Sequence, residues 1–139
     1  MAVTATPIFP QTISSKVAQF LNADGTAIKS IRTAGTNGER IDGIWLTNTD
    51  TNAYTVQFYI NDGSINSLIG SVSVPASSGN TSSAPTVNVL NNSNFPQCQR
   101  DANGNYFFVL TGGYFLRMAV TSTITSPKEI DVTVQGGSY

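Results

Sequence analysis

The chain has 139 residues, with 7 Lys and Arg against 8 Asp and Glu, a formal net charge of -1, no histidine and one cysteine. A chain of that length buries roughly two-thirds of its unfolded surface as one domain without a metal or disulfide, and without histidine the Ser-His-Asp, Cys-His and ordinary zinc arrangements fall away. No basic run could neutralise several phosphates, and no apolar run approaches the roughly 18 residues of a membrane span, so neither nucleic acid nor a membrane is an expected partner.

Thr, Ser and Asn number 17, 15 and 13, close to a third of the chain. Thr favours strands, and Ser, Asn and Gly favour turns. An all-β domain of eight or nine strands is therefore expected. The opening MAVTATPIFPQT lacks the basic and apolar regions of a secretory signal: Thr4 and Thr6 interrupt its apolar residues, and Pro7 and Pro10 bracket Ile8 and Phe9. Residues 1–12 are expected as an extended arm and 13–139 as a single β-sandwich domain.

The first strand is predicted at Ser15 to Leu21, closed by the turn Asn22-Ala23-Asp24-Gly25, and the second at Thr26 to Thr33. A third runs from Arg40 to Thr47. In Tyr54-Thr55-Val56-Gln57-Phe58-Tyr59-Ile60, Tyr54, Val56, Phe58 and Ile60 share the core face. Leu68 to Val74 follows, ended by Pro75. The stretch from Ala76 to Pro85 has no apolar residue larger than Ala and reads as a surface loop. Thr86 to Leu90 is a short strand, and Asn91 to Gln99 an irregular connection. Tyr106 to Leu110 is apolar on both faces, which predicts cover from both sides. The last two strands are placed at Tyr114 to Thr121 and Glu129 to Gln135. Such a chain fits a two-sheet antiparallel sandwich, a jelly roll in preference to an immunoglobulin-like topology.

Little catalytic chemistry is available to these residues. Glu39 with Asp42, and Glu129 with Asp131, have the makings of a glycosidase acid and base, yet they read as solvated charges at strand ends. Asp101, Asn103 and Asn105 carry the alternate oxygens of a calcium loop, but the bidentate Glu is missing, so a hairpin turn is expected. Cys98 reads as a small buried or half-buried residue in preference to a nucleophile, since nothing nearby except Arg100 would lower its pKa. A sugar-binding face would need an exposed aromatic row, for which only Tyr59 and Trp45 qualify. No catalytic, cofactor or metal residue is assigned. Phe9 and Phe95 lie in segments without regular structure, so each is expected either to need a partner surface or, equally, to fold back on its own domain.

The stretches MAVTATPIFPQTI, TAGTNGERIDGIWLTNTDTNAYTVQFYI, GSVSVPASSGNT, DANGNYFFVL and VTVQGG together resemble the jelly-roll capsid decoration, or cement, proteins of tailed bacteriophages. The resemblance runs along nearly the whole chain and involves turn and strand signatures, not an active site. It implies a non-enzymatic homo-oligomer, dimer or trimer, on the outer surface of the virion head, bridging subunits of the major capsid protein. Residues 1–12 would then be an exchange arm, with Ile8 and Phe9 as anchors and Pro7 and Pro10 limiting the entropy lost on docking. A tail, fibre-base or head-fibre component is the nearest alternative, and a carbohydrate-binding module a more remote one.

Overall fold

The structure, a computed structural model, describes residues 9 to 139. Pro7 and Ile8, two of the four residues assigned to the arm's docking, lie outside the described residues.

Ten strands follow in chain order: β1 (Thr12–Leu21), β2 (Lys29–Thr33), β3 (Glu39–Asn48), β4 (Tyr54–Asn61), β5 (Asn66–Val74), β6 (Val87–Asn88), β7 (Gln99–Arg100), β8 (Tyr106–Leu110), β9 (Phe115–Val120) and β10 (Glu129–Ser138). One sheet has the order β1-β10-β3-β8-β7 with β6 also on β3, and the other β2-β9-β4-β5, every pairing antiparallel. The two sheets form the expected sandwich. Because β1 and β2 belong to different sheets but adjoin, they close one edge of the sandwich, and at the other β5 faces β7 and β8 across a cleft lined by Ile69, Gln99 and Val109.

Alternation places the core. On β4, Tyr54, Val56 and Phe58 are buried while Thr55 is exposed, and with Leu116 and Met118 of neighbouring β9 they form one core cluster with Ile44, Leu46, Leu110, Val132 and Val134 of the facing sheet. Each such side chain contributes roughly 1.5–3 kcal/mol by leaving water.

Three bulges interrupt the pairing, one of them on β2, where Ile31 is extra between Ser30 and Arg32. Gln135 pairs with Gly43 and Gly136 with Ile41, leaving Asp42 as the extra residue on β3, while Phe58 and Tyr59 pair with Gly70 and Leu68, leaving Ile69 extra on β5. Gly136 is required where it stands, because a Cβ there would run into the Arg40 carbonyl. The Gly136-Gly137 pair therefore continues the last strand to Ser138, three residues past its predicted end.

Several expectations need correction. β1 starts at Thr12, inside the segment assigned to the arm, and the Gln11 amide already donates to the Ser138 carbonyl at 2.7 Å. The short strand β7 begins at Gln99, the last residue of the connection read as irregular, and adds to the expected strands. Within that connection Phe95 is buried, its ring set edge-on against Phe58 at 5.3 Å and Phe108 at 6.3 Å. Its Cδ1 would lie 2.7 Å from a Cβ on Gly70, so the missing side chain on β5 makes the seat for this ring. Phe95 thus finds its apolar surroundings within its own domain and needs no partner to cover it. Tyr106 to Leu110 is covered on one face only: Phe108 and Leu110 are buried, Val109 is half exposed, and Phe107 lies under the Arg40 guanidinium, 4.0 Å from the ring centre.

Candidate functional site

Among the described residues the carboxylates are the candidates for chemistry that the sequence raised. Glu39, read as a solvated charge, is buried instead. Its Oε2 accepts from Arg32 Nε at 2.5 Å and its Oε1 from Arg32 Nη2 at 3.2 Å and Ser138 Oγ at 3.2 Å. The same guanidinium donates to Ser14 Oγ at 2.8 Å and to the Ser14 and Val134 carbonyls at 3.2 and 3.4 Å. Arg32 comes from one sheet and Glu39 from the other, so this bidentate pair spans the sandwich behind β1. Asp42 lies on the outer face and is held by Arg40 Nε at 2.6 Å. The two acids do not share a site. Glu129 and Asp131 stand on β10, both half-buried, where Asp131 borders a shallow hollow with Val17, Gln19, Thr47 and Thr133.

A second buried acid, Asp50, organises the β3–β4 turn. Its Oδ2 accepts from the Tyr54 hydroxyl at 2.6 Å and the Thr125 amide at 3.1 Å, and its Oδ1 from the Asn52 amide at 3.1 Å. Asn48 completes the knot, accepting from the Asp50 amide and donating to the Asn52 and Pro75 carbonyls. Burial pushes the Asp50 carboxyl up, but the donors from Tyr54, Thr125 and Asn52 outweigh it and hold it at about 2, below its ordinary 3.8.

A depressed folded pKa stabilises above the unfolded value and ceases to do so as pH falls through the folded one. Asp50 should therefore stabilise the fold fully above about pH 4, with the effect fading toward pH 2. Asp50→Asn is expected to cost about 2 kcal/mol at pH 7 in urea unfolding, with the gap to wild type narrowing between pH 4 and 2. A gap that is constant across that range overturns this role. Asp24, Asp62 and Asp101 are also lowered, chiefly by the backbone amides of Leu21, Ile65 and Asn105 respectively, so the comparison with Asn at position 50 isolates one group.

The Asp101-Ala102-Asn103-Gly104-Asn105 segment is the expected hairpin turn. Asp101 Oδ1 accepts from the Asn103 and Asn105 amides at 2.9 Å, and Gly104 takes a positive φ of 84° that a side chain would strain. The other Asp101 oxygen, Oδ2, accepts from Asn105 Nδ2 at 3.3 Å and from Arg40 Nη2 of β3 at 3.5 Å. Cys98 is half-buried, and burial pushes its thiol up, away from the thiolate a nucleophile needs. Trp45 lies over Gly43 on the outer face of β3, whereas Tyr59 is on β4 in the other sheet, so the two aromatics do not form one row.

The remaining candidate features are apolar surfaces. On β1 the exposed large residues are Ile13 at 77%, Val17 at 79% and Leu21 at 39%, preceded by Phe9 at 70%. The opposite edge of the sandwich exposes Ile65, Leu68 and Val109. Beside them a cleft of about 170 Å³ opens between the sheets, lined by Ile60, Ile69, Phe95, Cys98, Phe108 and Val109. Of the predicted interaction residues, Phe9 and Pro10 stand at the start of the β1 surface, with Pro10 packed on Gly137, while Phe95 only floors the opposite cleft.

Sequence reasoning passed over Ile13, Val17, Ile65, Leu68 and Val109. For β1 a signal was present, since apolar residues recur at every fourth position from Phe9 to Leu21. A strand that buried its apolar face would repeat every second one. No protein-family model matches the chain, and no curated protein is significantly similar to it.

Proposed function

We propose that this protein is a non-enzymatic structural component of a tailed-phage virion, a homo-oligomer that decorates the outer surface of the head and bridges subunits of the major capsid protein. The observation that carries this reading is the pair of exposed apolar surfaces on opposite edges of one rigid sandwich, β1 on one side and Ile65, Leu68 and Val109 on the other. A bridging protein needs at least two contact surfaces held at a fixed separation, and exposed apolar groups rimmed by polar ones mark such contacts. Alternation of the chain between the sheets, with β1, β3, β8 and β10 in one and β2, β4, β5 and β9 in the other, supports the jelly-roll form of the sandwich. The Ser-, Thr- and Asn-rich faces supply hydrogen bonds for a broad contact that involves little net charge.

Purified protein is expected to bind phage heads that lack their decoration protein, and an Ile65→Ser, Leu68→Ser, Val109→Ser variant to lose at least about tenfold in head occupancy. The three side chains are exposed, so circular dichroism should be unchanged. Binding to isolated tails or fibres with none to heads would redirect the reading to a tail component, and binding to neither would overturn it.

A further inference from the structure

We infer that β1 is a self-recognition strand: its open edge pairs antiparallel with the β1 of a second copy, about a two-fold axis through Ser15. This deepens the homo-oligomeric reading above by naming the surface, and its test requires no heads.

The backbone supplies the template. Among the described residues β1 pairs with β10 alone, which leaves its other side open. The Leu21 amide donates to Asp24 Oδ2 at 2.8 Å and the Gln19 carbonyl accepts from Lys29 Nζ at 2.7 Å. Those groups therefore point away from β10. In an antiparallel ladder the direction alternates by residue, so the amides and carbonyls of Ile13, Ser15 and Val17 also lie on the open edge. Asp24 and Lys29 occupy the far end, and the open template is thus centred nearer Ser15 than Leu21.

The side chains select the occupant. Every second residue from position 9 reads Phe9, Gln11, Ile13, Ser15, Val17, Gln19, Leu21. That series is symmetric in character about Ser15. An antiparallel second copy centred there sets Ile13 against Val17 and Ser15 against itself, and directs the segment before the strand, with Gln11 and Phe9, toward Gln19 and Leu21 of the other copy. Gln11 breaks the alternation, its amide turned to the Ser138 carbonyl on the β10 side, so the open ladder begins at Ile13 and Phe9 stands just before it as a flanking apolar group.

Lys16 then fixes the register. In this pairing it faces Ser14 of the second copy, whereas a centre moved to Lys16 opposes two ammonium groups and leaves Phe9 and Leu21 without apolar partners. Self-complementarity about a point is the signature of an isologous contact. One strand pair with four apolar residues per copy is at the low end of interface sizes, so a dimer with a dissociation constant in the micromolar range is expected.

The test is sedimentation velocity of the full chain over the micromolar range, with two kinds of variant. Wild type should show a concentration-dependent monomer–dimer equilibrium, and Ile13→Lys with Val17→Lys should weaken it at least about 100-fold by opposing like charges twice. In a Cys98→Ser background, Ser15→Cys should oxidise to a linked dimer, since residues on the axis sit about 5.5 Å apart at Cα. Gln19→Cys should not, because its partner is Gln11. A monomer at every concentration, a dimer indifferent to the two lysines, or equal cross-linking at positions 15 and 19 would each overturn the proposal. Should the lysine variant misfold, the cross-linking contrast decides alone. Failure here with head binding intact leaves the decoration reading standing and removes only the β1 contact.

Discussion

Phe95→Ala is expected to lower the unfolding free energy by about 3–5 kcal/mol, among the largest effects of any single truncation in this protein. The ring contacts Phe58 and Phe108, one from each sheet, and fills the space that Gly70 leaves open on β5. Removing it opens a cavity that cannot collapse readily, because both flanking rings are anchored in strands. It also enlarges the cleft that already reaches this side chain from the surface. Phe95→Leu, which keeps most of the volume, should recover more than half of the loss. Urea unfolding of the three proteins checks this, and a cost for Phe95→Ala below about 1 kcal/mol would mean that the 91–98 segment is not packed as described.

Arg32→Met is expected to cost about 3–5 kcal/mol, because it leaves the Glu39 carboxylate buried with Ser138 as its remaining side-chain donor. The attraction within the pair is not the main reason. Taking both charges out of water is expensive, and the pair roughly offsets its own desolvation, so Arg32→Met with Glu39→Leu should restore much of what the single change loses. A double-mutant cycle measures that difference. If the double variant is as unstable as the sum of the two singles, then the two residues act independently and the pair does not hold the sheets together. Arg32 also bonds Ser14, so the single variant should loosen β1 and speed amide exchange along that strand before elsewhere.

These two effects involve different parts of the sandwich. The Phe95 cluster closes the edge that carries Ile65, Leu68 and Val109, and the Arg32–Glu39 pair backs the edge that carries Ile13 and Val17. Each exposed surface is thus supported from behind by a buried contact that spans both sheets. That arrangement holds two separated surfaces at a fixed geometry, which the proposed bridging role would require.

Local physical preferences run through the chain and were legible in it. Alternation in Tyr54 to Ile60 identified a core face that the structure buries at Tyr54, Val56 and Phe58, and the Asn-Gly pair at 103–104 marked a hairpin turn that forms as expected. Strand and turn chemistry acts within a few residues, so composition and period two were sufficient for an antiparallel β-sandwich. Burial across long separations was not legible. Phe95 has no periodic neighbours to reveal its inward orientation, and its seat depends on a glycine 25 positions earlier and on rings from two sheets. Glu39 looks like any strand-end acid until Arg32 is brought beneath it by the packing of one sheet on the other. In the same way, the four-residue spacing from Phe9 to Leu21 was present in the sequence from the start. Only the strand order, which places β1 at an edge with its odd-numbered residues facing outward, decided that this spacing describes a surface and not a core.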